Sequence, residues 1–169
     1  MAAFKIGQQV RYGQSGVCEI REIARMNVGG KAASYYVLAP LFKKGSTVYV
    51  PCDNEALTGR MRPLLTPEEI RSVLKKAEAG ERPWNRDFRK RSEESRLALQ
   101  SDDRLDALLM IKSILAHKKE LVRQGKHVHT TDDYFLRDAE QLVYNEFAFV
   151  LDKSFDEVED HVRGLLSAP

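Results

Sequence analysis

The densest chemistry in the chain lies in ten residues, Arg82-Pro83-Trp84-Asn85-Arg86-Asp87-Phe88-Arg89-Lys90-Arg91. Five are Arg or Lys and one is acidic, a local net charge of +4, and Trp84 is the only tryptophan. Cations at this density suit a polyanion, because each Lys or Arg at a phosphate releases condensed counterions. All five at phosphates would give a log–log salt slope of about −4.5. Trp84 has two readings. If one helix runs through the stretch, Trp84 and Phe88 stand four apart and turn together into a core, and the cations are its solvated face. Otherwise the ring is a wedge that leans into a minor groove or against an opened base step. Arg82, Arg86, Arg89, Lys90 and Arg91 then hold the backbone around it.

Catalytic and metal constellations do not emerge from the remaining residues. His127 and His129 flank a single residue, and Cys18 and Cys52 are 34 positions apart, with no CxxC or HExxH spacing. Cys18 sits in an apolar strand pattern and reads as a small core residue, whereas Cys52 follows a strand end. No glycine-rich phosphate loop is present. Asp102-Asp103 and Asp132-Asp133 fall where helix N-termini take negative charge. The profile is that of a binding protein without cofactor or metal. An enzyme whose polar residues meet only in the fold is the alternative class.

Length and composition fit that profile. The 169 residues are 43% hydrophobic and 31% charged, as in a folded protein of one ordinary or two small domains. No apolar run is long enough to span a membrane, and Met1-Ala2-Ala3-Phe4-Lys5 lacks the apolar core of a signal peptide. Two cysteines make no disulfide framework, so a reduced, cytoplasmic protein is expected. The formal net charge of +2 hides a gradient. Residues 1–66 carry 9 basic and 4 acidic side chains, residues 67–128 carry 15 and 11, and residues 129–169 carry 3 and 10. A polyanion meets the front and middle and is repelled by the tail.

The elements that must position these residues fall into two blocks. Residues 4–63 read as β. Val10 and Tyr12 alternate with polar neighbours. Val17, Cys18, Ile20 and Ile23 belong to a second strand, and Asn27-Val28-Gly29-Gly30-Lys31 is a hairpin connection. Tyr35–Leu38 stops at Pro40, and Thr47–Val50 stops at Pro51. Four or five short strands suggest a small, strongly bent antiparallel sheet or barrel. The period changes at Thr66-Pro67-Glu68-Glu69, a capping box with Pro at the first helical position. About five helices follow: one ending at Gly80, one from about Asn85 to Gln100, one after Ser101, one after Thr130-Thr131, and one opened by the capping-box spacing Ser154…Glu157. The expected fold is α+β, with a β domain over 1–63 and a helical domain over 66–169.

Phe4-Lys5-Ile6-Gly7, Val10-Arg11-Tyr12 and Gly16-Val17-Cys18-Glu19-Ile20 resemble the opening of the CarD/CdnL family of bacterial transcription regulators. Tyr35–Leu38, Val48-Tyr49-Val50-Pro51 and a Trp84 set behind a basic residue and Pro continue the resemblance across nearly the whole chain. The front half is also similar to the polymerase-interacting domain of the transcription-repair coupling factor. The resemblance implies a Tudor-like β-barrel that docks on the β subunit of RNA polymerase, through Arg25, Met26, Lys43, Tyr49, Val50 and Pro51. Met26 and Tyr49 stand where some relatives carry Arg, and Arg25 is one residue away. It further implies a helical domain that meets promoter DNA near the upstream edge of the −10 region. There Trp84 wedges into the minor groove and stabilises the open complex. A monomer without catalysis, cofactor or membrane association follows. The alternative keeps the polymerase contact but gives the helical domain a protein partner instead of DNA.

Overall fold

The computed structural model describes residues 4–167 and divides into two compact units between Leu64 and Leu65. The front unit contains strands β1 (Gln9–Tyr12), β2 (Val17–Val28), β3 (Lys31–Pro40), β4 (Val48–Pro51) and β5 (Met61–Arg62), with a one-turn helix α1 (Glu55–Thr58) before β5. All pairings are antiparallel, in the order β4-β3-β2-β1-β5. Gly29 and Gly30 both adopt positive φ, which closes the two-residue turn between β2 and β3 in the hand that strand twist favours. Val10, Cys18, Ile20, Leu38, Val50 and Met61 form the core. Cys18 lies inside it, and burial pushes its thiol up to about 11.

The expected barrel needs correction here. The sheet is open rather than a closed barrel, because β4 and β5 are its two ends and do not pair with each other. A two-residue β5 is too short to carry closure, and α1 fills the chain between β4 and β5. Neither α1 nor β5 was legible as a regular element in residues 52–63.

The second unit is a bundle of α2 (Pro67–Ala79), α3 (Phe88–Gln100), α4 (Arg104–Arg123), α5 (Thr130–Leu151) and α6 (Phe155–Leu166). No helix of the described residues is long and apolar enough to cross a membrane. Both expected capping boxes are formed. The Thr66 hydroxyl accepts from Glu69 N at 3.2 Å while Glu69 accepts from Thr66 N at 2.8 Å, and Ser154 and Glu157 do the same at 3.1 and 2.9 Å. Ile70 and Leu74 of α2, Leu108 and Ile111 of α4, and Val143 and Phe147 of α5 fill one core. The Lys112 ammonium of α4 donates to the carbonyls of Ala77, Glu78 and Gly80 at 3.1, 2.7 and 2.6 Å. It therefore caps α2 and aims the following residues toward α4.

A buried ion pair ties the unit together. Arg104 Nε donates to Glu146 Oε1 at 2.7 Å, with both side chains almost wholly buried, and Leu65 N donates to the other oxygen at 3.3 Å. Removing one charge strands its partner in a low dielectric. Arg104→Met is expected to cost about 3–5 kcal/mol, and Arg104→Met with Glu146→Leu to recover most of that loss. Chemical denaturation followed by circular dichroism measures both. Equal losses in the single and double variants would mean that packing, not charge, makes this pair important.

Candidate interaction surfaces

On the front unit, register and alternation divide the six residues expected at polymerase. Tyr49 stands opposite Val37 and Pro51 opposite Tyr35, while Val37, Tyr35 and Ala33 stand opposite Glu22, Ala24 and Met26. Side chains two apart share a face, so Met26, Tyr49 and Pro51 lie together on the outer face of the sheet with Tyr35 and Val37. Tyr49 is 51% exposed. Val50 points the other way into the core and is 0% exposed, so its side chain touches no partner. Arg25 falls on the face opposite Met26. Lys43 lies in the β3–β4 connection, where its ammonium donates to Gln14 O at 2.8 Å.

β4 is itself the edge strand; β3, which precedes it, is paired on both sides. Cys52 N donates to Ser34 O at 2.9 Å, which marks that pair as the hydrogen-bonded kind. Alternation then makes Val50–Tyr36 and Val48–Leu38 hydrogen-bonded pairs and turns the backbone of Tyr49 and Pro51 outward. Pro51 has no N–H, which an edge strand tolerates, so Tyr49 supplies the outward donor of this segment.

On the helical unit, the basic stretch is not one helix. Asp87 caps α3, accepting from Arg89 N at 3.0 Å and Lys90 N at 3.2 Å. The helix begins at Phe88, not near Asn85, and residues 81–87 belong to no helix or strand, so Trp84 and Phe88 do not share a helical face. The cations separate into two groups. Arg91 donates to both oxygens of Asp132 at 2.9 Å and to Asn85 O at 2.9 Å, and its side chain is 12% exposed against 1% for Asp132. It is committed inside the unit, which removes it from the expected phosphate contacts. Arg82 lies 4.0 Å from Glu94 and is mostly covered. Arg86, Arg89 and Lys90 are exposed and form no ion pair among the described residues.

Trp84 is half-buried against the helical core. Its ring stacks on His117 of α4 at 3.8 Å between centroids and 14° between planes, and the Arg91 guanidinium lies 4.5 Å from its centroid. Phe88 meets His129 at 4.4 Å, and His129 Nδ1 accepts from Thr131 N at 3.1 Å as the cap of α5. Burial first, then the nearby Arg91, holds His117 below the usual histidine range, with Asp132 opposing. His117, His129 and Asp132 were not singled out as site residues from sequence. Asp132 is 41 positions from Arg91, and its local signal, an acid in a first helical turn, points only to the helix dipole.

These positions separate packing from exposure. Val50→Ala should cost the front unit about 1–3 kcal/mol, whereas Tyr49→Ala should stay within about 0.5 kcal/mol. Trp84→Ala should destabilise the helical unit by about 1–3 kcal/mol, since much of a large side chain is packed while part stays accessible. Denaturant melts of the three variants check this. A Trp84→Ala loss as large as that of a fully buried aromatic would leave no exposed ring to act.

The CarD-like/TRCF RID domain model matches residues 4–65. No curated protein matches the chain. The match covers the whole described front unit, including the outer face and the β4 edge. The front unit is thus similar to the CarD-like/TRCF RID domain over residues 4–65, a likeness that supports an interaction with RNA polymerase.

Proposed function

We propose that the protein is a non-catalytic transcription regulator that docks on the β subunit of RNA polymerase and stabilises the open promoter complex. In this reading it acts as a monomer. β4 adds to a strand of the polymerase while the outer face with Met26, Tyr35, Val37 and Tyr49 packs beside it. The helical unit holds promoter DNA near the upstream edge of the −10 region. Arg86, Arg89 and Lys90 contact phosphates, and the exposed part of Trp84 leans on the distorted step.

The observation that carries the polymerase half is an unpaired edge strand, with an outward N–H at Tyr49, inside a unit similar to the RID domain. Edge addition binds through backbone groups, so side-chain identity there can differ between relatives without loss of docking. The DNA half is supported by the exposed cations at the start of α3. Arg89 and Lys90 sit in its first turn, which holds no acidic residue, although cations are unfavourable at the positive end of a helix. A phosphate beside that turn relieves the conflict.

Backbone and side-chain docking are separable. Tyr49→Pro removes the outward donor and should weaken polymerase binding about two- to tenfold, the net worth of one hydrogen bond, while Tyr49→Ala keeps the donor and loses less. Equal affinity for Tyr49→Pro and wild type would exclude strand addition at β4. The DNA arm is read from salt dependence. With Arg91 committed to Asp132 and Arg82 covered, three phosphate contacts give a log–log slope of about −2.7 rather than −4.5. Arg86→Glu or Arg89→Glu should flatten it by about 1. A slope unmoved by either variant would place DNA elsewhere or favour a protein partner for this unit.

A further inference from the structure

The Trp84 ring is held from two sides in sequence. His117 comes from α4, 33 positions downstream, and meets it nearly parallel at 3.8 Å. Arg91 comes from α3 and lies against it at 4.5 Å, itself fixed by two hydrogen bonds to Asp132 of α5. Near-parallel rings this close gain dispersion contact across their faces, and a guanidinium over an indole adds a cation–π term. A side chain on a segment with no helix or strand of its own is thus held by residues of α3 and α4, the first of them anchored to α5.

We infer that His117 is a positioning residue for Trp84, its imidazole forming the wall of a seat that fixes where the tryptophan points. The consequence for promoter DNA rests on the function proposed above; the seat does not. Neutral imidazole stacks without repelling Arg91, whereas protonated imidazole sets a second cation against it. The charged groups facing His117 are Arg91 from α3 and Asp132 from α5. Burial and Arg91 favour the neutral ring and Asp132 the protonated one, with the first two prevailing. The folded pKa is therefore below the unfolded value of 6.5, and the unfolded chain takes up the proton first. The seat is closed at neutral pH and loses stability as the pH falls below that value.

Because Trp84 is the only tryptophan, its fluorescence reports the seat directly. The full-length protein is compared with His117→Phe, which keeps a flat ring without a proton to gain, and with His117→Ala. Emission of the wild type should change as the pH is lowered through the histidine range. That dependence should vanish in His117→Phe. His117→Ala should shift the emission to longer wavelength at every pH. Open-complex lifetime should fall roughly two- to tenfold in His117→Ala and return in His117→Phe, matching the lost share of seated ring. Emission identical in His117→Ala and wild type would overturn the seat. Emission that responds as expected, with lifetimes equal in all three proteins, would uphold the seat and overturn the DNA role of Trp84.

Discussion

The ion pair between Arg91 and Asp132 is the constraint on which the helical surface depends. Its two parallel hydrogen bonds join the first turn of α3 to the first turn of α5, and the same guanidinium also holds Asn85 O and lies on Trp84. Bidentate pairs of this kind are geometrically specific, and a lysine in place of Arg91 could reproduce neither the fork nor the flat contact. With Asp132 nearly wholly buried, the pair is not a surface embellishment. Lose one partner, and a charge is stranded while the segment before α3 loses its anchor at Asn85 O.

The two surfaces use different physics. In the proposed function the sheet offers a strand edge and an outer face of Met26, Tyr35, Val37 and Tyr49 to be read by backbone and shape, contacts on which salt should act little. The start of α3 offers exposed cations around a half-buried ring, and in the proposed function its phosphate contacts should weaken as salt rises. The helical surface also carries an internal conflict. Arg89 and Lys90 oppose the dipole of their own helix, and Asp87 offsets that by capping both of their amides. Helix stability alone would favour acidic residues in that turn, and an anion bound there, as proposed, would relieve the conflict.

Much of the fold was legible locally. Thr66-Pro67-Glu68-Glu69 and Ser154…Glu157 state their capping boxes within four residues, and Gly29-Gly30 states its turn within two, because in each case the interacting groups are neighbours in the chain. The candidate site was legible in composition but not in geometry. Five cations in ten residues announce a basic surface, yet which are free depends on partners such as Asp132, 41 positions away. The start of α3 was misplaced by about three residues because helical spacing between Trp84 and Phe88 outweighed the Asp87 cap between them. Val50 was read with its strand rather than by its parity, although alternation with Tyr49 places the two on opposite faces. Closure of the sheet was also beyond local reading, since whether β4 meets β5 is set by chain geometry over the whole unit.

In the proposed function one surface takes polymerase and a different one takes DNA. Amide hydrogen exchange across the full-length protein tests it most directly, measured for the protein alone, with core RNA polymerase, and with polymerase on a promoter. The β4 segment is expected to gain protection with polymerase alone, and residues 82–91 only once promoter DNA is present. Protection of residues 82–91 by polymerase in the absence of DNA would contradict this reading and identify the helical surface as a second protein contact.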